Sequence, residues 1–155
     1  MMELWTGKVE DEWVDYNGHM NVAYYHMAFD RSTDRFLESL GLGEDYLSRE
    51  SGSMFALEDH LTYQRELKLG DPIRVTLQLL DIDEKRAHYF LRMYHAEEDY
   101  LAATCEHLSI FIDMRRRRSA KLPDEVFEAL SRLHEEHREH PVPEEAGRAM
   151  RIRRP

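Results

Sequence analysis

Within seven positions, Asp15, Asn17, Gly18, His19 and Asn21 bring together a carboxylate, two amides, an imidazole and a residue without a side chain. The chain then turns apolar and aromatic at Val22, Ala23, Tyr24, Tyr25, Met27, Ala28 and Phe29. Two chemistries fit this order. Asp and Asn are common caps and Gly a common turn residue, so the segment can simply start a helix. Alternatively, Gly18 lets a ligand approach the backbone closely. Free N–H groups at positions 18–22 would then lie at the positive end of a helix and grip a developing oxyanion. Donors of that kind are worth about 3–4 kcal/mol each in the transition state. Asp15 would attack the carbonyl carbon or activate a water for it. No competing nucleophile has a visible partner set, since Cys105 falls mid-strand and no G-x-S-x-G elbow occurs. The nine histidines show no H-E-x-x-H or C-x-x-C spacing, so no metal is expected. His134 and His137, with Glu135 and Glu136 between them, read as a solvated face.

The elements that must position these groups follow from periodicity. Residues 5–14 read as a strand with Trp5, Val9 and Trp13 as packing positions. From Asn21 the period becomes helical, with Val22, Tyr25, Phe29, Phe36, Leu37 and Leu40 recurring. Asn21 suits the N-cap and Gly41 the stop. A short helical turn is expected over 45–49. Residues 55–63 alternate, with Phe55, Leu57, Leu61 and Tyr63 on one face. Strands are also expected over 73–82, 86–96 and 100–113, separated by polar turns. A second helix opens at Pro123 or Asp124 and carries Val126, Phe127, Leu130 and Leu133. Consecutive strands joined by hairpins form an antiparallel sheet. One sheet and one strongly apolar helix share a core only if the sheet curls around the helix, which is an α+β architecture. The exposed edges of such a sheet predict a homodimer at least.

Composition bounds the rest. The 155 residues fit one domain, expected over 1–140, with a charged tail over 141–155 that is exposed or mobile unless it docks on a partner. Hydrophobic residues make up 42 %, enough for a core. A formal net charge of −10 argues against broad nucleic-acid binding. No apolar run is long enough to span a membrane, and the acidic N-terminal run does not read as a signal peptide. The single Cys105 fits a reducing compartment, so the expected location is cytoplasmic. Basic residues gather at Arg115, Arg116, Arg117 and Arg118, and again at Arg148, Arg151, Arg153 and Arg154. The first group reads either as a solvated turn or as a docking site for phosphates.

The stretch from Asp15 to Tyr25 resembles the D-x-x-G-H-x-N-x-x-x-Y signature of hotdog-fold acyl-CoA thioesterases, in their 4-hydroxybenzoyl-CoA thioesterase-like branch. The likeness continues through Phe29, through Leu61, Thr62 and Tyr63 with Leu69, Gly70 and Asp71, and through Ala103 to Asp113, closing at Leu122 and Pro123. It covers residues 7 to about 128 and implies a hotdog fold, a curled antiparallel sheet wrapped around one long helix, plus a C-terminal helix. It also implies active sites at a dimer interface and hydrolysis of an acyl-CoA thioester to acid and CoA. Asp15 would be the catalytic carboxylate, and the Gly18 and His19 amides would polarise the carbonyl. Asn21 would cap the helix, and Tyr25 would line the acyl pocket or pack in the core. Coenzyme A enters as part of the substrate, with no separate cofactor. Its phosphates would meet Arg65, Arg115, Arg116 and Arg117, because guanidinium groups suit phosphate oxygens. Many members of the branch carry a second Asn after the first, where this chain has Val22. Branches that use a central-helix acid would find only Asp30 and Asp34 here.

The Trp5-x-Gly7-x-Val9 run, Trp13 and the tail from Gly147 and Arg148 to Arg151 are similar to thioesterases of carnitine breakdown, a family thought to cleave betainyl-CoA. A trimethylammonium head needs an aromatic cage, each ring face attracting a cation by about 0.5–2 kcal/mol. Trp5, Trp13, Tyr16, Tyr24, Tyr25 and Tyr63 could supply it, with Glu58 or Asp59 for charge, or could simply fill the core. Medium-chain and aromatic acyl groups fit the motif equally. Two other activities stay open: a hotdog hydratase or dehydratase pairing an Asp with His26, and a non-catalytic acyl-CoA-binding protein.

Overall fold

The computed structural model describes residues 1–152. Its elements are β1 (Met2–Lys8), a 3-10 turn (Asp11–Trp13), α1 (Val22–Ser39), α2 (Glu44–Glu50), β2 (Gly52–Tyr63), β3 (Pro72–Ile82), β4 (Arg86–His95), β5 (Leu101–Asp113), β6 (Arg118–Ser119) and α3 (Asp124–His137). Every strand pair is antiparallel. The order across the sheet is β1-β3-β4-β5-β2, with β6 paired to the end of β5. This is the curled α+β sheet around a long helix, the hotdog architecture.

α1 starts and stops where its sequence dictates. The Asn21 side chain accepts the Ala23 N–H at 3.0 Å, an N-cap bond. At the far end Gly41 has φ +75°, Leu42 N–H returns to the Leu37 carbonyl at 2.9 Å, and Gly41 N–H returns to Glu38 at 3.0 Å. That is a Schellman motif, which needs a left-handed residue. Between them Tyr25, Ala28, Phe29, Ser32 and Phe36 are buried against the concave face of the sheet. Phe36 meets Tyr89 edge-on at 5.3 Å.

Several expectations are corrected. The first strand ends at Lys8, and Trp13 is buried from a 3-10 turn, because the chain must leave the sheet edge to reach the start of α1. In β2 the register slips between Ala56 and Glu58. A bulge inserts one residue and flips the period-2 phase. Leu61 and Tyr63 share the concave face with Asp59, opposite Cys105, Ala103 and His107, whereas Phe55, on the other side of the bulge, lies opposite Ile110 on the other face.

His134 and His137 are not a solvated face. A second bulge, between Leu79 and Asp81, frees backbone groups on β3. The Leu79 N–H donates to His137 Nδ1 at 2.9 Å, and His134 Nε2 lies 3.1 Å from the Leu80 carbonyl. His137 is accordingly buried, and burial lowers its pKa. The tail is largely exposed and also touches the chain's own sheet. Gln78 donates to the Pro141 carbonyl at 3.1 Å, and Gly147 N–H reaches both Glu106 oxygens at 3.0 and 2.8 Å. Residues 141–147 thus cross the outer face of the chain's own sheet. Arg153 and Arg154 lie outside the described residues. Among the described residues no helix is long and apolar enough to cross a membrane.

Candidate functional site

The loop over 14–21 is a small closed unit built by its own backbone. Val14 and Met20 form a bridge, closed by Asp15 N–H to His19 O at 3.1 Å and Asn21 N–H to Trp13 O at 2.8 Å. At its tip Gly18, with φ +80°, turns the chain, and its N–H donates to the Asp15 carbonyl at 2.9 Å. A Cβ there would meet nothing within 4 Å, so the glycine serves conformation and leaves open space. Met20 N–H anchors the loop to Leu67 O at 2.7 Å.

This arrangement aims Asp15. One carboxylate oxygen accepts the Asn17 N–H at 2.8 Å, and the other accepts Asn21 Nδ2 at 3.0 Å. Asn21 thereby works twice, its Oδ1 capping the helix and its Nδ2 holding the carboxylate. The Asn17 N–H, then the Asn21 amide and the His19 imidazole, keep the Asp15 carboxyl below the usual carboxylate range. Asp15 is therefore ionised at neutral pH. The expected pair of oxyanion donors changes. The Gly18 amide is consumed by the turn, while the His19 amide has no hydrogen-bond partner among the described residues.

Beside the loop lies an open groove of about 190 Å³ lined by His19, Met20, Val22, Tyr25, Tyr63, Gln64, Arg65 and Glu66. Tyr25 is buried, accepts the Leu67 N–H on its hydroxyl at 3.0 Å and meets Tyr63 edge-on at 5.4 Å. Burial pushes its phenol up to about 12, so it stays protonated. It packs in the core and lines the groove at once.

The six aromatics do not form one cage. Trp13 and Tyr24 stack on each other at 5.6 Å, and the Arg31 guanidinium already lies 5.6 Å from the Trp13 ring. Tyr16 is exposed at the loop tip, and Trp5 packs against Gly7. Only Tyr25 and Tyr63 of the six line the groove, where the acid is Glu66 rather than Glu58 or Asp59.

The arginines are likewise divided. Arg65 borders the groove, its guanidinium 3.7 Å over the Tyr100 ring and 3.5 Å from Glu98. Arg115, Arg116 and Arg117 follow Asp113, which pairs with Gly52 at the opposite end of β2 from Tyr63. Twelve strand residues put those ends roughly 36 Å apart at about 3.3 Å per residue. One chain does not bring the two groups together. Asp113 also occupies the Arg115 and Arg116 amides, at 2.9 and 3.0 Å.

A network that the spacing of the sequence hides lies under α1. Asp59 sits between two imidazoles, with His107 Nδ1 on Oδ1 at 2.5 Å and His26 Nε2 on Oδ2 at 3.1 Å. The His107 bond, helped by His26, keeps the Asp59 carboxyl low. Asp30 lines the small cavity beside this network, whereas Asp34 faces a different groove, with its pKa raised by burial and by Asp30 and Glu38. The one signal in the sequence is an acid, Asp59, in phase with Leu61 and Tyr63 on β2.

Known proteins share this fold. Residues 9–130 match the profile of the Thioesterase-like superfamily. The betainyl-CoA thioesterase of Pseudomonas aeruginosa is 36% identical over 139 residues, which is 90% of this chain and 87% of that protein. The L-carnitine dehydrogenase/betainyl-CoA thioesterase of Rhizobium meliloti is 36% identical over 148 residues, 95% of this chain but 29% of that longer protein, so this chain spans less than a third of it. A Staphylococcus aureus protein solved in complex with CoA superposes with a TM-score of 0.92 at 33% identity, over 99% of this chain and 98% of its own. With a hotdog sheet around α1, a family match over most of its length and relatives of this similarity, the chain belongs to the Thioesterase-like superfamily.

Proposed function

We propose that this protein hydrolyses a small acyl-CoA thioester to the free acid and CoA, and that betainyl-CoA is its substrate. The observation that carries this reading is the Asp15 carboxylate, gripped on both oxygens by Asn17 and Asn21 at the foot of α1, next to the unpaired His19 amide. Ionised Asp15 takes a proton from water as the water oxygen attacks the thioester carbonyl carbon. The oxygen's developing charge is met by the His19 N–H and the positive end of α1. The tetrahedral intermediate then expels the CoA thiolate, which takes up the proton held by Asp15.

Tyr25 and Tyr63, with Glu66 beside them, line the groove with aromatic surface and a negative charge, the two features that suit a trimethylammonium head. Arg65 would meet a CoA phosphate from the groove's border. The free outer edge of β2, with Leu57 53% and Phe55 39% exposed, supports a two-fold pair of chains joined strand to strand. Antiparallel pairing about the middle of β2 would carry Arg115, Arg116 and Arg117 of the second copy to the Tyr63 end of the first. The split set of phosphate-binding arginines would then be reunited across the interface.

A hydratase reading draws on one observation, the pair of His26 on α1 with Asp59 on β2. Asp59 is mostly covered beneath α1 between two imidazoles, whereas Asp15 stands on a half-exposed loop beside the groove. Free-thiol release and double-bond formation, assayed on one panel of acyl-CoAs, separate the two readings. The panel includes betainyl-CoA and its neutral isostere tert-butylacetyl-CoA. Thiol release is expected, fastest with betainyl-CoA, and Asp15→Asn lowers it at least about 100-fold with the fold intact. Turnover near wild type in that variant removes Asp15 from the chemistry, and equal rates on the two isosteres remove cation recognition.

A further inference from the structure

Cross-strand geometry gathers three different metal-ligand types at one point beneath α1. Asp59 on β2 pairs directly with His107 on β5, and Cys105, two residues before His107, shares its face. One donor atom from each of Asp59, Cys105 and His107 lies within 4.8 Å of the others. Cys105 Sγ is 3.7 Å from Asp59 Oδ1, the oxygen that His107 Nδ1 approaches to 2.5 Å. His26 of α1 stands just outside this group: its Nε2 is 3.1 Å from the other oxygen, Asp59 Oδ2, and it lines the same cavity, so a side-chain rotation would bring it in as a fourth donor. A tetrahedral zinc site with ligand bonds of about 2.0–2.3 Å separates neighbouring donor atoms by roughly 3.3–3.8 Å. The observed distances straddle that range, so small rotations of Asp59 and the two rings would open room for an ion.

We propose that Asp59, Cys105, His107 and His26 form a site for a zinc-class divalent cation that ties α1 to β2 and β5. The ligand set mixes thiolate, imidazole and carboxylate, the combination that selects zinc or cobalt over magnesium or calcium. A cavity of about 190 Å³ adjoins the cluster, lined also by Phe29, Asp30, Thr33 and Ala56. His26, 56% exposed while His107 and Asp59 are mostly covered, gives the ion its way in. Second contacts support the ligands: the Tyr89 ring stacks on the His107 imidazole at 4.7 Å and fixes its plane. Binding would displace the proton of the Cys105 thiol and select the imidazole tautomers that leave His107 Nδ1 and His26 Nε2 free to ligate. Burial and the Asp59 charge otherwise hold that thiol protonated, so the ion supplies what the protein alone does not. With His26 rotated in as the fourth donor the site is closed and acts on stability rather than on the thioester.

The test uses the full chain, stripped with chelator and titrated with Co²⁺, then with Zn²⁺ in competition. The expected result is one ion per chain, a sulfur-to-cobalt charge-transfer band in the near ultraviolet, and a higher melting temperature when loaded. Cys105→Ser is expected to abolish the band. Exposed His26→Ala, which leaves the core untouched, is expected to weaken binding at least roughly tenfold. A wild-type protein that takes up no stoichiometric ion, or one whose cobalt spectrum is the same in Cys105→Ser, overturns the proposal.

Discussion

Asn21 is the residue on which two requirements meet, because its Oδ1 caps α1 while its Nδ2 holds Asp15. The substitution Asn21→Asp separates them. A carboxylate caps a helix as well as an amide does and suits the positive end of α1. It also replaces a donor to Asp15 with a second negative charge, which raises the Asp15 pKa. The folded protein is therefore expected to lose no more than about 1 kcal/mol of stability by denaturant titration, the size of a cap contribution. The acid limb of kcat/KM for thiol release should move to higher pH, opposite to the lowering that the native Asn17 and Asn21 contacts produce. A cap-only role for Asn21 would leave that limb where it is. The types and spacing of Asp15, Gly18 and Asn21 were legible in the sequence because they act within one turn of chain. That the Gly18 amide closes the turn on Asp15, leaving His19 as donor, depends on the folded loop.

At the scale of elements, bulges decide what packs where. The slip on β3 leaves Leu79 and Leu80 with backbone groups that α3 satisfies through His137 and His134. An unpaired buried N–H costs about 1–3 kcal/mol, so His137→Ala should lower the melting temperature clearly. His137→Asn offers an acceptor in the same place and should recover part of the loss. The pH dependence follows from burial, which depresses the folded pKa of His137 below its ordinary 6.5. Between those values the unfolded chain binds the extra proton, so stability is present above 6.5 and declines as pH falls through it. Melting curves from about pH 8 to about pH 5 should show this decline in wild type and flatten it in His137→Asn. Equal slopes in both would assign the pH dependence to other groups.

For the whole molecule, the edge of β2 is the unfinished feature, long, unpaired and carrying Phe55 and Leu57 toward solvent. If two copies join there, Leu57→Lys should block the contact, as charges on sheet edges do. Sedimentation is expected to show a dimer or larger assembly for wild type and a monomer for the variant. Thiol release should fall with it, because the arginines after β5 would no longer reach the groove. An unchanged sedimentation coefficient would place the interface elsewhere. Sequence alone determined the α+β class, the span and caps of α1, and the residue types gathered in the loop from Asp15 to Asn21, since each rests on neighbours within a few residues. Tertiary structure decided the phase of β2, the docking of the tail, the burial of His137 and the meeting of Asp59 with Cys105 and His107. Those depend on bulges and on strand register across 46 to 48 positions of chain, where one inserted residue reverses the face of all that follow.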